Sequence, residues 1–347
     1  MKTYNNLYLE ITSFENLYLA FQKAKKYKRY KKGVGEFEYN LEKELFQIKR
    51  DLEFFNYKPS KPKKFTLKDP KKRIIHAVSF RDRVIHHALC NIIEPIFDKR
   101  FIYDSYACRK ERGTHKAILR LDSFIKKESK NNTKQVYVLK MDIKKYFDNI
   151  NHKILLEIIK KKIKDKNTIW LISIIIDNYH KNKEQGEIGI PIGNLTSQLF
   201  ANIYLNELDY FIKEKLNIKY YIRYMDDFVI LDTSFSFLLK IKEKIDIFIN
   251  ENLKLNLHPD KTRILKLNNG ILFLGYRIFY YYKLLKKGNV KRFNKNLIKM
   301  KNKYKNQIIS IYDIGNSLIS CLGHIKYTNS YNLRRLLFKD LIFLIND

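Results

Sequence analysis

The stretch Tyr220–Leu231, YYIRYMDDFVIL, decides the fold. Aromatic and β-branched residues flank two adjacent aspartates, Asp226 and Asp227, on both sides. This pattern predicts a tight β-hairpin that carries the aspartates at its turn. Neighbouring carboxylates repel each other unless a cation lies between them, and carboxylate oxygens suit Mg²⁺. A surface turn explains the pair equally well, because Asp is a common turn residue.

The segments around this hairpin predict a mixed sheet-and-helix unit. Apolar periodicity predicts, in chain order, a strand over 136–141, helices within 152–182 and over 195–215, the hairpin, a helix over 234–252 and a strand over 262–267. This order is a split β-α-β, or ferredoxin-like, layout, in which the first strand lies beside the central hairpin. Asp142, at the end of the first strand, would then face the aspartate pair and complete a two-metal site suited to phosphoryl transfer.

The composition indicates a nucleic-acid-binding protein. The chain has 347 residues, of which 45% are hydrophobic, so it can bury a large core. Lys and Arg number 69 and Asp and Glu number 36, which gives a formal net charge of +33. A basic surface of this size attracts phosphate backbones in a salt-dependent way.

Cysteine usage and hydropathy predict an intracellular, cytoplasmic protein. The three cysteines, Cys90, Cys108 and Cys321, are far apart and lack the spacing of a metal site, which is typical of reduced thiols. The N-terminus has no signal-peptide pattern. No stretch reaches the roughly 18 apolar residues of a membrane span, so we expect no membrane association.

Two further regions are basic. Helices are predicted over 13–31 and 40–55. They precede a basic strand-turn-strand arm over 58–83, centred on Asp69-Pro70. This arm could reach a triphosphate or a template strand, because Lys and Arg bind phosphate. For any single lysine of the arm, a position in a solvated loop is the alternative. Further helices are predicted over 84–97 and from Thr114 onwards, and the chain from about 285 is basic and helical.

Five ordered segments together resemble a reverse transcriptase. They are LKMDIKKYFDNI (139–150), PIGNLTSQLFANIYLNELD (191–209), YMDDFVIL (224–231), LHPDKTRI (257–264) and FLGYRI (273–278). The resemblance implies an α+β fold, shaped as a right-hand polymerase with fingers, a ferredoxin-like palm and a helical thumb. It implies RNA-directed DNA polymerase activity. The expected domains are an N-terminal helical extension (1–60), fingers (61–135), palm (136–280, with finger helices inserted at about 152–185) and thumb (285–347).

The resemblance also assigns roles to individual residues. The metal ligands would be Asp142, Asp226, Asp227 and the Ile143 carbonyl, holding two Mg²⁺ ions, with Mn²⁺ as the alternative. Lys261 would donate a proton to pyrophosphate, and Gly275 would lie at the primer grip. Nucleotide-binding roles fall to Lys68, Arg73, Phe147, Ile192, Gly193 and Gln198. Phe147 would exclude a ribose 2′-hydroxyl, although its spacing from Asp142 also fits a core aromatic.

One segment narrows the subfamily. In Ile192–Gln198 an aliphatic residue stands where intron and retroviral enzymes typically have Gln, and Gln198 stands in place of Pro. This segment, with DSYACRKERGTHKAI (104–118) and SFRDRVIHHAL (79–89), resembles reverse transcriptases of diversity-generating retroelements. An Ile192 side chain cannot hydrogen-bond the incoming nucleotide, so we expect low fidelity. The family implies misincorporation opposite template adenines.

The resemblance implies several partners. They are a template RNA, a cDNA or primer, deoxynucleoside triphosphates and a small basic accessory protein. Two alternatives stay open. One is another bacterial reverse transcriptase, from a group II intron, a retron, or a CRISPR-associated or phage-defence system. The other is a non-catalytic RNA-binding protein on a polymerase scaffold, which need not keep all three aspartates.

Overall fold

The computed structural model describes residues 2–68, 72–179 and 187–339. Its N-terminal part is helical and carries a two-stranded hairpin. Its helices and strands are α1 (Leu7–Thr12), α2 (Phe14–Lys25), α3 (Lys32–Tyr39), α4 (Leu41–Glu53), β1 (Lys63–Leu67), β2 (Arg73–Ala77), α5 (Phe80–Asp98) and α6 (Thr114–Glu128). Strands β1 and β2 pair antiparallel, which agrees with the predicted strand-turn-strand arm. The expected turn at Asp69-Pro70 lies outside the described residues.

The helix predicted over 13–31 is wrong in its second half. Helix α2 ends at Lys25, and a turn leads to α3 at Lys32. Seven of the ten residues from 23 to 32 are Lys or Arg, and like charges one turn apart destabilise a helix. Tyr27 in this turn has a φ of 58°, which a right-handed helix cannot contain.

The central part is an antiparallel four-stranded sheet with its helices. In chain order it contains β3 (Tyr137–Asp142), α7 (His152–Lys160), α8 (Lys166–Asp177), α9 (Leu195–Tyr210), β4 (Tyr221–Tyr224), β5 (Asp227–Asp232), α10 (Phe235–Leu253) and β6 (Arg263–Lys266). The strand order is β4-β5-β3-β6. This order confirms the predicted ferredoxin-like layout, with the first strand beside the hairpin.

Both faces of this sheet are buried. Alternate residues of a strand point to opposite faces, and here both sets are apolar. Leu139 and Phe228 belong to the larger core with α10, whereas Val138 and Val229 belong to a second core with α6. The sheet therefore holds its carboxylates at one end of a rigid, doubly covered layer.

The C-terminal part adds a second sheet and more helices. Its elements are β7 (Ile271–Phe273), β8 (Tyr276–Ile278), β9 (Lys283–Leu285), α11 (Lys287–Lys305), α12 (Ile311–Ile325) and α13 (Tyr331–Lys339). Helix α11 has basic residues along its length and no buried side chain. Within the described ranges, no helix combines the length and apolar character that crossing a bilayer requires.

One buried histidine should make stability depend on pH. His86 on α5 is 3% exposed, and its Nδ1 lies 3.1 Å from Thr196 Oγ1. Burial lowers its pKa to about 4, whereas in the unfolded chain a histidine titrates near about 6.5. Between these values the unfolded state binds more protons, so stability should fall as the pH is lowered. The contribution of His86 is about 2 kcal/mol between pH 7 and pH 5.

Urea unfolding at pH 7 and pH 5 checks this expectation. The His86→Gln variant should lose markedly less stability than the wild type on acidification. An equal loss in both proteins would show that other groups cause the acid sensitivity.

Candidate active site

The turn of the β4–β5 hairpin carries the aspartate pair. Tyr224 pairs with Asp227, so Met225 and Asp226 form a two-residue turn. Met225 has a φ of 56°, in the left-handed region that side chains other than glycine disfavour. Arg223 Nη1 donates to the Met225 carbonyl at 3.2 Å and so helps to hold this conformation. Strained backbone of this kind is common at functional sites.

Asp142 joins the pair through the strand register. It lies directly opposite Asp227 across β3 and β5. The amide of the next residue, Ile143, donates to the Asp226 carbonyl at 3.3 Å. The structure therefore brings the three aspartates and Ile143, predicted to lie together, to one end of the sheet.

Two lysines neutralise part of this negative charge. Lys261 Nζ lies 2.6 Å from Asp142 Oδ1, and Lys140 Nζ lies 3.3 Å from Asp227 Oδ2. Lys261 reaches the site because its segment runs beside β3, where the His258 amide donates to the Asp142 carbonyl at 2.7 Å. Lys140 also donates to the Leu272 carbonyl at 2.5 Å, which links the site to β7.

The two lysines do not fully offset the negative charge of the three carboxylates. Burial raises the pKa of Asp227 to about 6, and the charge of Lys140 opposes this rise. Burial also raises the pKa of Asp226; Asp142 adds to that rise, and Lys261 and Arg73 oppose it. Asp227 Oδ1 is buried without a hydrogen-bond partner. A buried, unpaired carboxylate oxygen beside two other carboxylates favours a bound cation.

The carboxylate oxygens of the three aspartates are therefore chemically suitable ligands for divalent ions. Among residues 2–68, 72–179 and 187–339, no group of three or more His, Cys, Asp or Glu side chains is arranged to hold a metal ion. In the structure, one oxygen of Asp142 is paired with Lys261 and one oxygen of Asp227 with Lys140.

The predicted nucleotide-binding residues Phe147 and Ile192 lie on two joined segments. Phe147 is half-buried in a short 3-10 turn, and its carbonyl accepts from the Ile190 amide at 2.8 Å. Ile192, two residues after Ile190, is also half-buried, and its carbonyl accepts a hydrogen bond from the His76 amide of β2 at 3.3 Å. Strand β2, the loop and the Phe147 segment are thus one connected wall.

Gly193 is required by close packing in this wall. It has a φ of 116°, and a Cβ there would lie 2.8 Å from Ile75 Cγ2. The half-buried Gln198 follows in the first turn of α9. Glycine allows the loop to approach β2 closely, whereas a residue with a Cβ would have to displace the Ile75 side chain and adopt a strained φ.

The remaining predicted residues are spread around the site. Arg73, exposed at the start of β2, acts on Asp226 through its charge. Lys68 is exposed beyond the end of β1. Gly275 forms the β7–β8 turn with a φ of 87°, where its carbonyl accepts from the Lys286 amide at 2.9 Å. Gly275 therefore belongs to the neighbouring sheet.

The sequence analysis missed a buried ion pair beneath the turn. Arg223 and Asp209 are fully buried, with Nη2–Oδ2 and Nε–Oδ1 distances of 2.5 and 2.7 Å. A signal was present, because Arg223 is the one cation in the apolar strand β4 and Asp209 lies near the end of a largely apolar helix. The sequence analysis also missed Lys140, whose amine contacts the Asp227 carboxylate and the Leu272 carbonyl.

Comparisons with known proteins identify relatives of this chain. Residues 61–278 match the family model described as reverse transcriptase (RNA-dependent DNA polymerase). Protein YkfC of Escherichia coli is 28% identical over 243 residues, covering 60% of this chain and 63% of that protein. The group II intron-encoded protein LtrA of Lactococcus lactis is 27% identical over 324 residues, covering 73% of this chain and 52% of LtrA. The chain thus spans less than two thirds of the length of these relatives.

Solved structures show the same fold. Telomerase of Candida albicans, in complex with a TWJ fragment of telomeric RNA, superimposes with a TM-score of 0.52 at 12% identity, covering 83% of this chain and 55% of that one. Apo telomerase of Candida tropicalis, truncated from its C-terminal domain, gives a TM-score of 0.51 at 17% identity, covering 68% and 58%.

Proposed function

Since this chain belongs to the reverse transcriptase family, we propose that it is an RNA-directed DNA polymerase. The observation that carries this proposal is the placement of Asp142, Asp226 and Asp227 at one end of the central sheet. The net charge of +33 supports a nucleic-acid template and primer as substrates. We retain the division into N-terminal extension, fingers, palm and thumb, with the boundaries given above, as part of this proposal.

The three aspartates and the Ile143 carbonyl would hold two divalent ions, which we propose are Mg²⁺. Such ions supply positive charge to the attacking and leaving oxygens of a phosphoryl transfer. Lys261, which is 43% exposed at its side chain and pairs with Asp142, would give a proton to the departing pyrophosphate. Arg73 would neutralise triphosphate charge, and Lys68 would assist from the same hairpin.

The wall described above would receive the incoming deoxynucleotide. Phe147 would lie under the sugar and exclude a 2′-hydroxyl, and Ile192, Gly193 and Gln198 would face the base and sugar. Gly275 would position the primer from the β7–β8 turn, which Lys140 ties to the aspartate end.

We further propose the diversity-generating type of enzyme, which makes adenine-mutagenic cDNA with a small basic accessory protein. The support is the apolar Ile192 at the nucleotide-facing loop. An apolar side chain offers no hydrogen bond that distinguishes a paired from a mispaired nucleotide, and such contacts account for large discrimination factors.

Replacing Ile192 with glutamine should reduce misincorporation opposite template adenine by about tenfold. The glutamine amide would add a hydrogen bond that a mispaired nucleotide cannot satisfy. Sequencing of cDNA made from a defined RNA measures the effect, and Ile192→Leu is the matched apolar control. An unchanged error spectrum in the glutamine variant would remove Ile192 as the cause of low fidelity.

A second candidate is a faithful reverse transcriptase of the group II intron type. The similarity to LtrA favours it. Fidelity distinguishes the two candidates, because only the diversity-generating type should concentrate its errors at adenines.

Primer extension on a defined RNA with Mg²⁺ and four deoxynucleotides tests the proposed function. We would run it with and without any small basic protein encoded beside the gene. Errors at template adenines support the diversity-generating type, and faithful cDNA supports the intron type. RNA binding without any cDNA would overturn polymerase activity and leave the non-catalytic scaffold.

A further inference from the structure

The segment that carries Phe147 and the loop that carries Ile192 are paired like two short strands. The His152 amide donates to the Glu187 carbonyl at 3.0 Å, and the Gly189 amide donates to the Ile150 carbonyl at 2.8 Å. The bond from Ile190 to Phe147 continues this ladder. The spacing between the sugar side and the base side of the proposed nucleotide pocket therefore depends on this pairing.

The His152 side chain lies behind the ladder and closes it. It is fully buried at the start of α7, and its Nε2 lies 2.6 Å from the Gly189 carbonyl oxygen. A carbonyl oxygen only accepts, so Nε2 must carry the proton and donate. Nδ1 lies 3.5 Å from Asp177 Oδ1 at the end of α8. One imidazole thus joins α7 to the loop and lies beside the end of α8.

The loop has little freedom to compensate for loss of this bond. Gly189 has a φ of 96°, and a Cβ there would lie 3.2 Å from the Asp148 carbonyl oxygen and 3.3 Å from the Tyr179 ring. The loop thus approaches the Phe147 segment as closely as a glycine allows. Beyond it, Ile192 and Gly193 are held against β2.

We propose that His152 is a positioning residue that sets the width of the nucleotide pocket. By holding Gly189, it keeps the Ile192 loop at a fixed distance from Phe147, and this distance decides how well a 2′-hydroxyl is excluded. The inference rests on the proposed function, because it assigns substrate selection to the same pocket. His152 does not contact the substrate.

Two substitutions of similar size isolate the donated hydrogen bond. In His152→Gln the amide nitrogen can still donate to Gly189, whereas His152→Met fills the space without a donor. Steady-state incorporation of dGTP and of GTP opposite a template cytosine measures both variants. Leu171→Ala, which removes buried volume from α8 away from the loop, is the control for general loss of stability.

We expect the methionine variant to raise the KM for dGTP and to lower the preference for dGTP over GTP, each by roughly five- to tenfold. The turnover number should change less. The glutamine variant should stay within about twofold of the wild type. Equal behaviour of the two variants, or a fall in kcat alone, would overturn the inference.

A second measurement separates this inference from the proposed function. Hydrogen exchange of the amides of Gly189 and Ile190 needs no polymerase activity. Exchange should be faster in the methionine variant and unchanged in the glutamine variant. Failure of the wild type to make cDNA would overturn the proposed function, whereas equal exchange in all three proteins would overturn the role of His152.

Discussion

Replacing Asp226 with asparagine should reduce cDNA synthesis by about a thousandfold and leave the protein folded. Asparagine keeps the shape of the side chain and removes its charge. Burial raises the pKa of Asp226, and Asp142 adds to this by repulsion, so the charged form is unfavourable in the folded chain. Removing the charge should therefore keep the free energy of unfolding the same or raise it.

Primer extension, RNA binding and thermal unfolding distinguish a chemical role from a structural one. Asp260→Asn is the matched control, because its side chain is 82% exposed on the segment that carries Lys261. It should retain activity. Mn²⁺ should raise the melting temperature of the wild type more than that of the Asp226 variant. Full activity in Asp226→Asn would remove this residue from the proposed site.

Removing the carboxylate of Asp209 should destabilise the fold by about 3–5 kcal/mol. Asp209→Leu would leave the Arg223 guanidinium charged and fully buried. It would also remove the acceptor of the Tyr221 hydroxyl, which lies 2.7 Å from Asp209 Oδ1. Because Arg223 holds the Met225 carbonyl, polymerase activity should fall with stability.

A control on the same helix shows whether the loss of stability comes from removing any carboxylate or from removing a buried one. Glu207 pairs with Lys161 at 3.2 Å in partial exposure, so Glu207→Gln should cost no more than about 1 kcal/mol. The double variant Arg223→Met with Asp209→Leu should recover much of the lost stability, because no buried charge is left unpaired. Urea unfolding measures all three. A small effect of Asp209→Leu would show that water or a neighbouring group reaches Arg223.

The sequence predicts the central sheet because its signals are local. One strand-forming run ends at Asp142, another is interrupted by the pair Asp226-Asp227, and the order of strands and helices allows one ferredoxin-like arrangement. Asp142 beside Asp227 follows from that arrangement, and the structure shows the pairing.

Contacts between distant residues were not predictable in the same way. Nothing near Lys140 in the sequence indicates that it reaches Asp227 and Leu272, since both partners come from other strands. The role of His152 likewise depends on its contact with a loop some forty residues away. That contact can be predicted only once the fold is known. The break between α2 and α3 was missed because the helix was predicted from the spacing of its apolar residues. That spacing takes no account of the repulsion between neighbouring Lys and Arg side chains.

The direct pairing of Asp142 with Asp227 limits how this protein can change in length during evolution. A one-residue insertion in β3 or β5 would turn every later side chain to the opposite face. It would exchange the side chains that pack in the two cores and separate the aspartates in a single step. Insertions and deletions should therefore accumulate in more exposed connections such as 130–135, while the paired strands diverge by substitution alone.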